Sequence, residues 1–352
     1  MINLVFLLLL FPMIIVGYRG AGSNSNANVE KSIEELELEI RSDLNNYDTD
    51  VDFTLYVKSE NGNSFLHSTG NSNEAVLYKS ASTSKLVTSV IILSLVSDGV
   101  LSLEDSPQDY ISSWPTTGNL SSIKLKHLLS LTSGLSDKPS CINLYIFDFE
   151  SCVNNIARVN NNSTAPGDVF YYSPSHFQVA GLMAIEASGN TSWNSVFLQF
   201  QSETGLFLNS NYDVPSATNP RLAGGMHWTA DDYMLFLTAL YNKYILTDTL
   251  ISQLSSDQIG AASIGYSPAL TELGEDWHYG YGTWIECKEN PYSCTQVKKI
   301  SSPGTYGAYP FIDYESGYYG ILARQGEFGT FSEGIELVEA VSQKLKNWAL
   351  MD

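Results

Sequence analysis

Apolar residues crowd the start of the chain, Leu4 to Val16, in a run broken only by Pro12. Gly17, Gly20, Ala21, Gly22 and the polar segment Ser23 to Asn28 follow. From Val29 to Leu44 the period becomes helical, with Ile33, Leu36, Leu38, Ile40 and Leu44 spaced among carboxylates, which predicts a surface helix with one packed side. Over Val51 to Val57 the period shortens to two, and the turn signal Asn61-Gly62-Asn63 before Ser64 to Ser68 predicts a β-hairpin. An apolar run of helix length, Leu86 to Val96, closes with Asp98 and Gly99. Between Ser102 and about Asn242 the segments read mostly as helices separated by Gly, Pro, Ser and Asn clusters, with Val179 to Ala187 and Asp231 to Tyr241 the clearest. Beyond Trp277 the texture is aromatic and β-branched, over Tyr279 to Glu286, Gln296 to Ile300, Ala308 to Ile312 and Tyr318 to Ala323, before a final helix from Gly334 to Leu350. The pattern predicts an α+β fold. Residues 29–100 and 270–352 build one sheet region from both chain ends, and residues 101–269 form a mostly helical middle.

The chain of 352 residues, 43% of them hydrophobic, is long enough for a substantial core. Its N-terminus reads as a signal peptide over residues 1–22, with cleavage between Gly17 and Gly22, although no Lys or Arg precedes the apolar run. The run falls short of the roughly 20 residues that span a bilayer, so a permanent anchor is the weaker alternative and a secreted or periplasmic location is expected. A formal net charge of -20 works against binding nucleic acid or an anionic membrane.

For an exported chain the cysteine pairs Cys141 with Cys152 and Cys287 with Cys294 read as local disulfides, and neither has zinc-knuckle spacing. His67, His127, His176, His227 and His278 are scattered without ligand spacing, and no phosphate loop or dinucleotide fingerprint occurs, so neither metal nor cofactor is expected. Sequons at Asn119, Asn161, Asn162 and Asn190 would carry glycans in a eukaryotic secretory pathway. The oligomeric state is left open by the sequence.

Candidate chemistry centres on Ser82-Thr83-Ser84-Lys85, at the mouth of the apolar run. Three residues apart on a helix, hydroxyl and amine are neighbours, so the amine can take the serine proton, and a helix N-terminus favours negative charge near the oxygen. The tetrad also occurs at Ser121 to Lys124, in a polar region, and letters do not separate the copies. No Gly-x-Ser-x-Gly elbow is present, which argues against an α/β-hydrolase triad.

Order and interval do separate them. The first tetrad is followed by Gly99-Val100-Leu101-Ser102-Leu103-Glu104-Asp105, by Leu128 to Leu135, by Pro166-Gly167 with Phe170-Tyr171-Tyr172-Ser173, and by Ala223-Gly224-Gly225 with Thr229-Ala230-Asp231-Asp232. In this the chain resembles the serine β-lactamase and penicillin-binding-protein superfamily, and within it the class C β-lactamase-related hydrolases and esterases. The resemblance implies a β-lactamase/transpeptidase-like fold and an acyl-enzyme formed on Ser82, with Lys85 as activator and a tyrosine as proton shuttle. Tyr172-Ser173-Pro174 fits the tyrosine motif by its context, although Tyr266-Ser267-Pro268 has the same letters and Pro174 stands where the family has Asn. The third family motif is met best by Ser302-Pro303-Gly304, with the N–H groups of Ser82 and Thr305 as oxyanion donors and Gly304 permitting close approach to substrate.

Neither Ser302 nor Pro303 supplies the cation that would hold a penicillin carboxylate, so the resemblance implies a small ester, amide or peptide substrate rather than a penicillin. Two alternatives differ in kind: a non-catalytic binding or assembly protein that keeps the fold, and a D-alanyl peptide carboxypeptidase.

Overall fold

The computed structural model describes residues 31–351, so the expected signal peptide lies outside the described residues. Helix α1 (Ile33–Asn45) turns Leu36, Ile40 and Leu44 inward, as its spacing requires, and packs along the C-terminal helix. The hairpin follows as β1 (Phe53–Ser59) and β2 (Ser64–Ser68), then a short β3 (Tyr78–Lys79). A 3-10 turn at Ala81–Thr83 leads into α2 (Ser84–Ser97), which is buried along almost its whole length. A mainly apolar run, Leu86 to Val96, whose only polar residues are the small hydroxyls Thr88, Ser89 and Ser94 thus becomes a helix through the core, not one lying on its surface.

The middle contains α3 (Leu125–Leu129), α4 (Phe149–Val159), β4 (Val169–Tyr171), α5 (Ser175–Ser188), α6 (Trp193–Thr204), β5 (Asn211–Tyr212), β6 (Met226–Trp228), α7 (Ala230–Tyr241), α8 (Asp248–Leu254) and β7 (Ser263–Tyr266). It is less uniformly helical than its sequence suggests. Residues 101–124 run as turns and 3-10 segments, and two small sheets, β3-β6-β5 and β4-β7, stitch the region together. The Gly, Pro and Ser clusters there are chain, not merely separators.

The C-terminal part supplies β8 (His278–Tyr279), β9 (Trp284–Ile285), β10 (Lys299–Ser301), β11 (Tyr309–Asp313), β12 (Tyr318–Arg324) and α9 (Phe331–Ala349). The main sheet has the order β2-β1-β12-β11-β10-β9-β8, and all its pairings are antiparallel. It therefore joins both chain ends through the β1–β12 pair, with Phe53 opposite Arg324 and Ser59 opposite Tyr318. The aromatic run from Tyr279 to Glu286 folds back on itself at Gly282, whose φ of +77° suits glycine. A Cβ there would lie 2.0 Å from Ser89 Oγ and 2.7 Å from the Lys85 carbonyl, so glycine lets this hairpin rest directly on α2.

Disulfides join Cys141 to Cys152 and Cys287 to Cys294. Among the described residues, no helix is long and apolar enough to cross a membrane.

Candidate active site

Ser80-Ala81-Ser82-Thr83-Ser84 offers four hydroxyls within five residues, and the fold sorts them. Ser80 Oγ lies 2.7 Å from Thr83 Oγ1 and 2.6 Å from Ser84 Oγ. The Trp228 indole donates to Thr83 Oγ1 at 2.8 Å, and the Met226 N–H donates to Ser84 Oγ at 3.3 Å. Those three hydroxyls are buried and engaged. Of the four, Ser82 is the one that lines a cavity, of about 530 Å³. Ala81, just before it, has a left-handed φ of 46°, a conformation costing a residue with a Cβ about 1 kcal/mol, so the chain enters α2 through a strained turn. Gly224 is pressed against that turn; a Cβ there would come within 3.2 Å of the Ala81 carbonyl carbon.

Lys85 is buried on the first turn of α2. Its Nζ donates to Ser82 Oγ at 2.8 Å and to the Ala223 carbonyl at 3.0 Å, and lies 4.5 Å from the centre of the Tyr172 ring. Burial, with a smaller contribution from the Arg221 charge, pulls the ammonium down to about 7. An amine that is neutral part of the time thus sits in contact with an accessible hydroxyl.

Tyr172 follows β4. Its N–H donates to the Tyr266 carbonyl at 3.0 Å, and its ring stacks on Trp284 with centroids 5.0 Å apart and planes at 22°. Burial drives the phenol up to about 12, although hydrogen bonds with the Ser82 and Trp284 side chains pull the other way, so its proton stays in place at neutral pH. The rival Tyr266 stands at the rim, 38% exposed, against the Tyr171 ring. His176 is fully buried beneath this segment. Its Nε2 lies 3.0 Å from the Tyr171 carbonyl, which can only accept, so Nε2 carries the proton and Nδ1 accepts from Ser133 Oγ at 2.8 Å. Burial holds this imidazole down at about 3, making it a neutral brace for the segment that carries Tyr172.

The Ser302-Pro303-Gly304 segment differs from its expected form. Strand β10 ends at Ser301, so the segment lies in the turn beyond the strand. Ser302 is buried, and its Oγ donates to the Ser82 carbonyl at 3.1 Å, tethering the turn to the Ser82 backbone instead of lining the cavity. Gly304 is not part of the cavity wall either. A Cβ on it would lie 2.7 Å from the Ser80 carbonyl, so the close approach that glycine permits is to the turn bearing Ser82. Pro303 and Thr305 do line the cavity. Among the described residues neither the Ser82 N–H nor the Thr305 N–H has an acceptor within the protein.

The second tetrad does not assemble. Ser121 Oγ donates back to the Gly118 carbonyl at 2.7 Å, while Lys124 Nζ donates to Ser106 Oγ at 2.9 Å. Three contributors are not evident from sequence motifs: the Ala223 carbonyl, Trp284 and Arg221. The Ala223-Gly224-Gly225 match is the nearest sequence signal for the first, but letters do not disclose which backbone oxygen faces Lys85.

Residues 60–337, well over half of the chain, match the family model described as Beta-lactamase. No curated protein matches the chain. A structure from Bacteroides dorei DSM 17855, provisionally described as a beta-lactamase, is 25% identical with a TM-score of 0.72, over 89% of this chain and 98% of that one. EstCE1, a hydrolase with promiscuous acyltransferase activity, is 15% identical with a TM-score of 0.67, over 88% of this chain and 98% of that one. The beta-lactamase/D-alanine carboxypeptidase from Yersinia pestis is 17% identical with a TM-score of 0.66, over 88% and 99%. The last two are similar in fold alone.

Proposed function

The chain belongs to the Beta-lactamase family and is a β-lactamase-related serine hydrolase, and on that footing we propose that it acts on a small ester or amide through an acyl-enzyme on Ser82. One observation carries the reading: the Lys85 amine, pulled down to about 7, in contact at 2.8 Å with the hydroxyl that lines the cavity. Neutral Lys85 takes the Ser82 proton as Oγ attacks the carbonyl carbon. Tyr172, its own proton held, passes a proton toward the leaving group and receives one from Lys85 in return. The unpartnered Ser82 and Thr305 N–H groups are the donors for the tetrahedral oxyanion, each such donor being worth about 3 to 4 kcal/mol in comparable sites. Water then releases the acyl group by the reverse sequence. A non-catalytic descendant would have no reason to keep a buried, destabilised amine against an accessible hydroxyl.

Export belongs to the same proposal. The two disulfides suit an oxidising compartment. Asn161 and Asn162 are exposed and open to glycans, Asn119 is exposed with its amide donating to the Ser163 carbonyl at 2.7 Å, and Asn190 is half-buried, with its amide donating to Ser188 Oγ and Gln199 Oε1.

A fluorophosphonate probe and short 4-nitrophenyl esters test the chemistry. The protein should be labelled and should turn over, Ser82→Ala should lose both while keeping its melting temperature, and full activity in Ser82→Ala would end the assignment.

A further inference from the structure

The wall of the cavity has a charge unlike that of the protein around it. Asp and Glu number 38 in the chain against 18 Lys and Arg, yet the cavity is lined by Lys85, Lys138 and Arg221 and by no carboxylate. Arg221 is half-buried at its wall. One of its terminal nitrogens donates to Asn143 Oδ1 at 2.7 Å, its Nε is buried without a partner, and among the described residues no carboxylate forms an ion pair with it. Lys138 is exposed at the mouth, also without an ion pair among the described residues. A desolvated guanidinium with no counter-charge is costly, and in an acidic chain a partner would be easy to supply.

Much of the remaining wall is aromatic, with Trp277, Trp284, Tyr306 and Phe328 among it. The cation missing from the Ser302-Pro303-Gly304 turn is thus offered instead by Arg221, from the segment that precedes Ala223.

We propose that Arg221, assisted by Lys138, is the specificity-determining residue of this site and selects an ester or amide that bears a free carboxylate away from its reacting carbonyl. This rests on the acyl-enzyme reading above. A guanidinium already stripped of part of its water, held by Asn143 and unpaired, gains from a carboxylate what it has not gained from the protein. The aromatic wall takes the apolar chain between carboxylate and carbonyl. Arg221 also lies near enough to help depress Lys85, so its removal alters the base for every substrate; only the ratio between charged and neutral substrates isolates recognition.

Mono-4-nitrophenyl adipate and its methyl ester form a matched pair that differs in the distal carboxylate alone. Wild type should favour the acid about tenfold in KM, Arg221→Met should bring the ratio near one, and Arg221→Lys should restore part of it. An unchanged ratio in Arg221→Met, with both substrates slowed alike, would make Arg221 a tuner of Lys85 only and overturn the proposal. Titrating the same pair into Ser82→Ala protein reads the preference without turnover. Absence of hydrolysis in wild type would then sink the acyl-enzyme reading, while equal binding of acid and ester would sink the anion site.

Discussion

Replacing Lys85 with Met should make the protein more stable and inactive at once. The reason is the position of the amine: it is buried, near a second cation, and pulled from an ordinary 10.5 to about 7. At about 1.36 kcal/mol per unit, that displacement of about 3.5 units amounts to about 5 kcal/mol against the folded state wherever the unfolded chain holds the proton and the folded protein must hold it too. The sign follows from proton counts. Below about 7 both states are protonated and the cost is complete; between about 7 and 10.5 the unfolded state binds more protons, so stability rises with pH; above 10.5 the cost is gone. The unfavourable contribution is about 4 kcal/mol at pH 7 and about 2 kcal/mol at pH 9.

Methionine fills most of the same volume and can rest on the Tyr172 ring, but it leaves the Ala223 carbonyl without its donor, a loss of about 1 to 3 kcal/mol. Lys85→Met should therefore gain about 1 to 3 kcal/mol at pH 7, and its lead over wild type should shrink by about 2 kcal/mol by pH 9. Urea unfolding of both proteins at a series of pH values measures this, and taking the difference cancels every other titrating group. A lead that does not change with pH would show that the lysine is not held neutral in the fold and would refute the reasoning.

Two further predictions rest on the same geometry. The pH profile of kcat/KM should rise through an apparent pKa of about 7 as Lys85 loses its proton, and Arg221→Met should move that midpoint upward for neutral and charged substrates alike; a midpoint indifferent to Arg221 would contradict the electrostatic coupling. Gly282→Ala, at φ +77° with its new Cβ 2.7 Å from the Lys85 carbonyl, should lower stability by about 2 to 4 kcal/mol, and an unchanged urea midpoint would rule out the close packing of that hairpin on α2.

What the sequence discloses of this site follows from how far apart its parts lie in the chain. Ser82 and Lys85 are legible because one helical turn fixes their relation whatever the rest of the fold does. Tyr172 needs context, since only the Pro166-Gly167 turn before it and the apolar helix after it distinguish it from Tyr266. The sheet is legible as strands at both ends, because the alternation in β1 and the aromatic and aliphatic run of β12 each require a partner face. Trp284, the Ala223 carbonyl and Arg221 are not legible. The Ala223 carbonyl meets Lys85, Trp284 stacks on Tyr172 and Arg221 lines the same cavity, all brought there by the tertiary fold, and a backbone carbonyl or a stacking indole has no periodicity to betray it. The Ser302-Pro303-Gly304 turn is half legible: its location is found, but side chain and glycine both serve the Ser82 turn, because the tightest contact in that region is protein against protein.

The treatment of charge elsewhere in the molecule argues that the unbalanced cavity is a property of the site and not of a scarce supply of acids. Arg324, almost fully buried, meets Glu333 at 2.6 Å; Lys299 lies 3.4 Å from both Glu286 and Glu339; Lys344 reaches Asp43 at 2.6 Å. For these cations a carboxylate accompanies the charge that is taken out of water, most completely at Arg324 and Lys299. At the cavity the rule is suspended for Lys85 and Arg221 together, beside a left-handed Ala81. A carboxylate paired with Arg221 would relieve that cation but would also pull Lys85 back toward an ordinary ammonium, since the Arg221 charge helps to hold it down. The same missing acid therefore keeps the amine neutral enough to accept a proton and leaves the guanidinium free for an anionic substrate. A carboxylate introduced beside Arg221 should accordingly damage proton transfer and carboxylate selection in a single step.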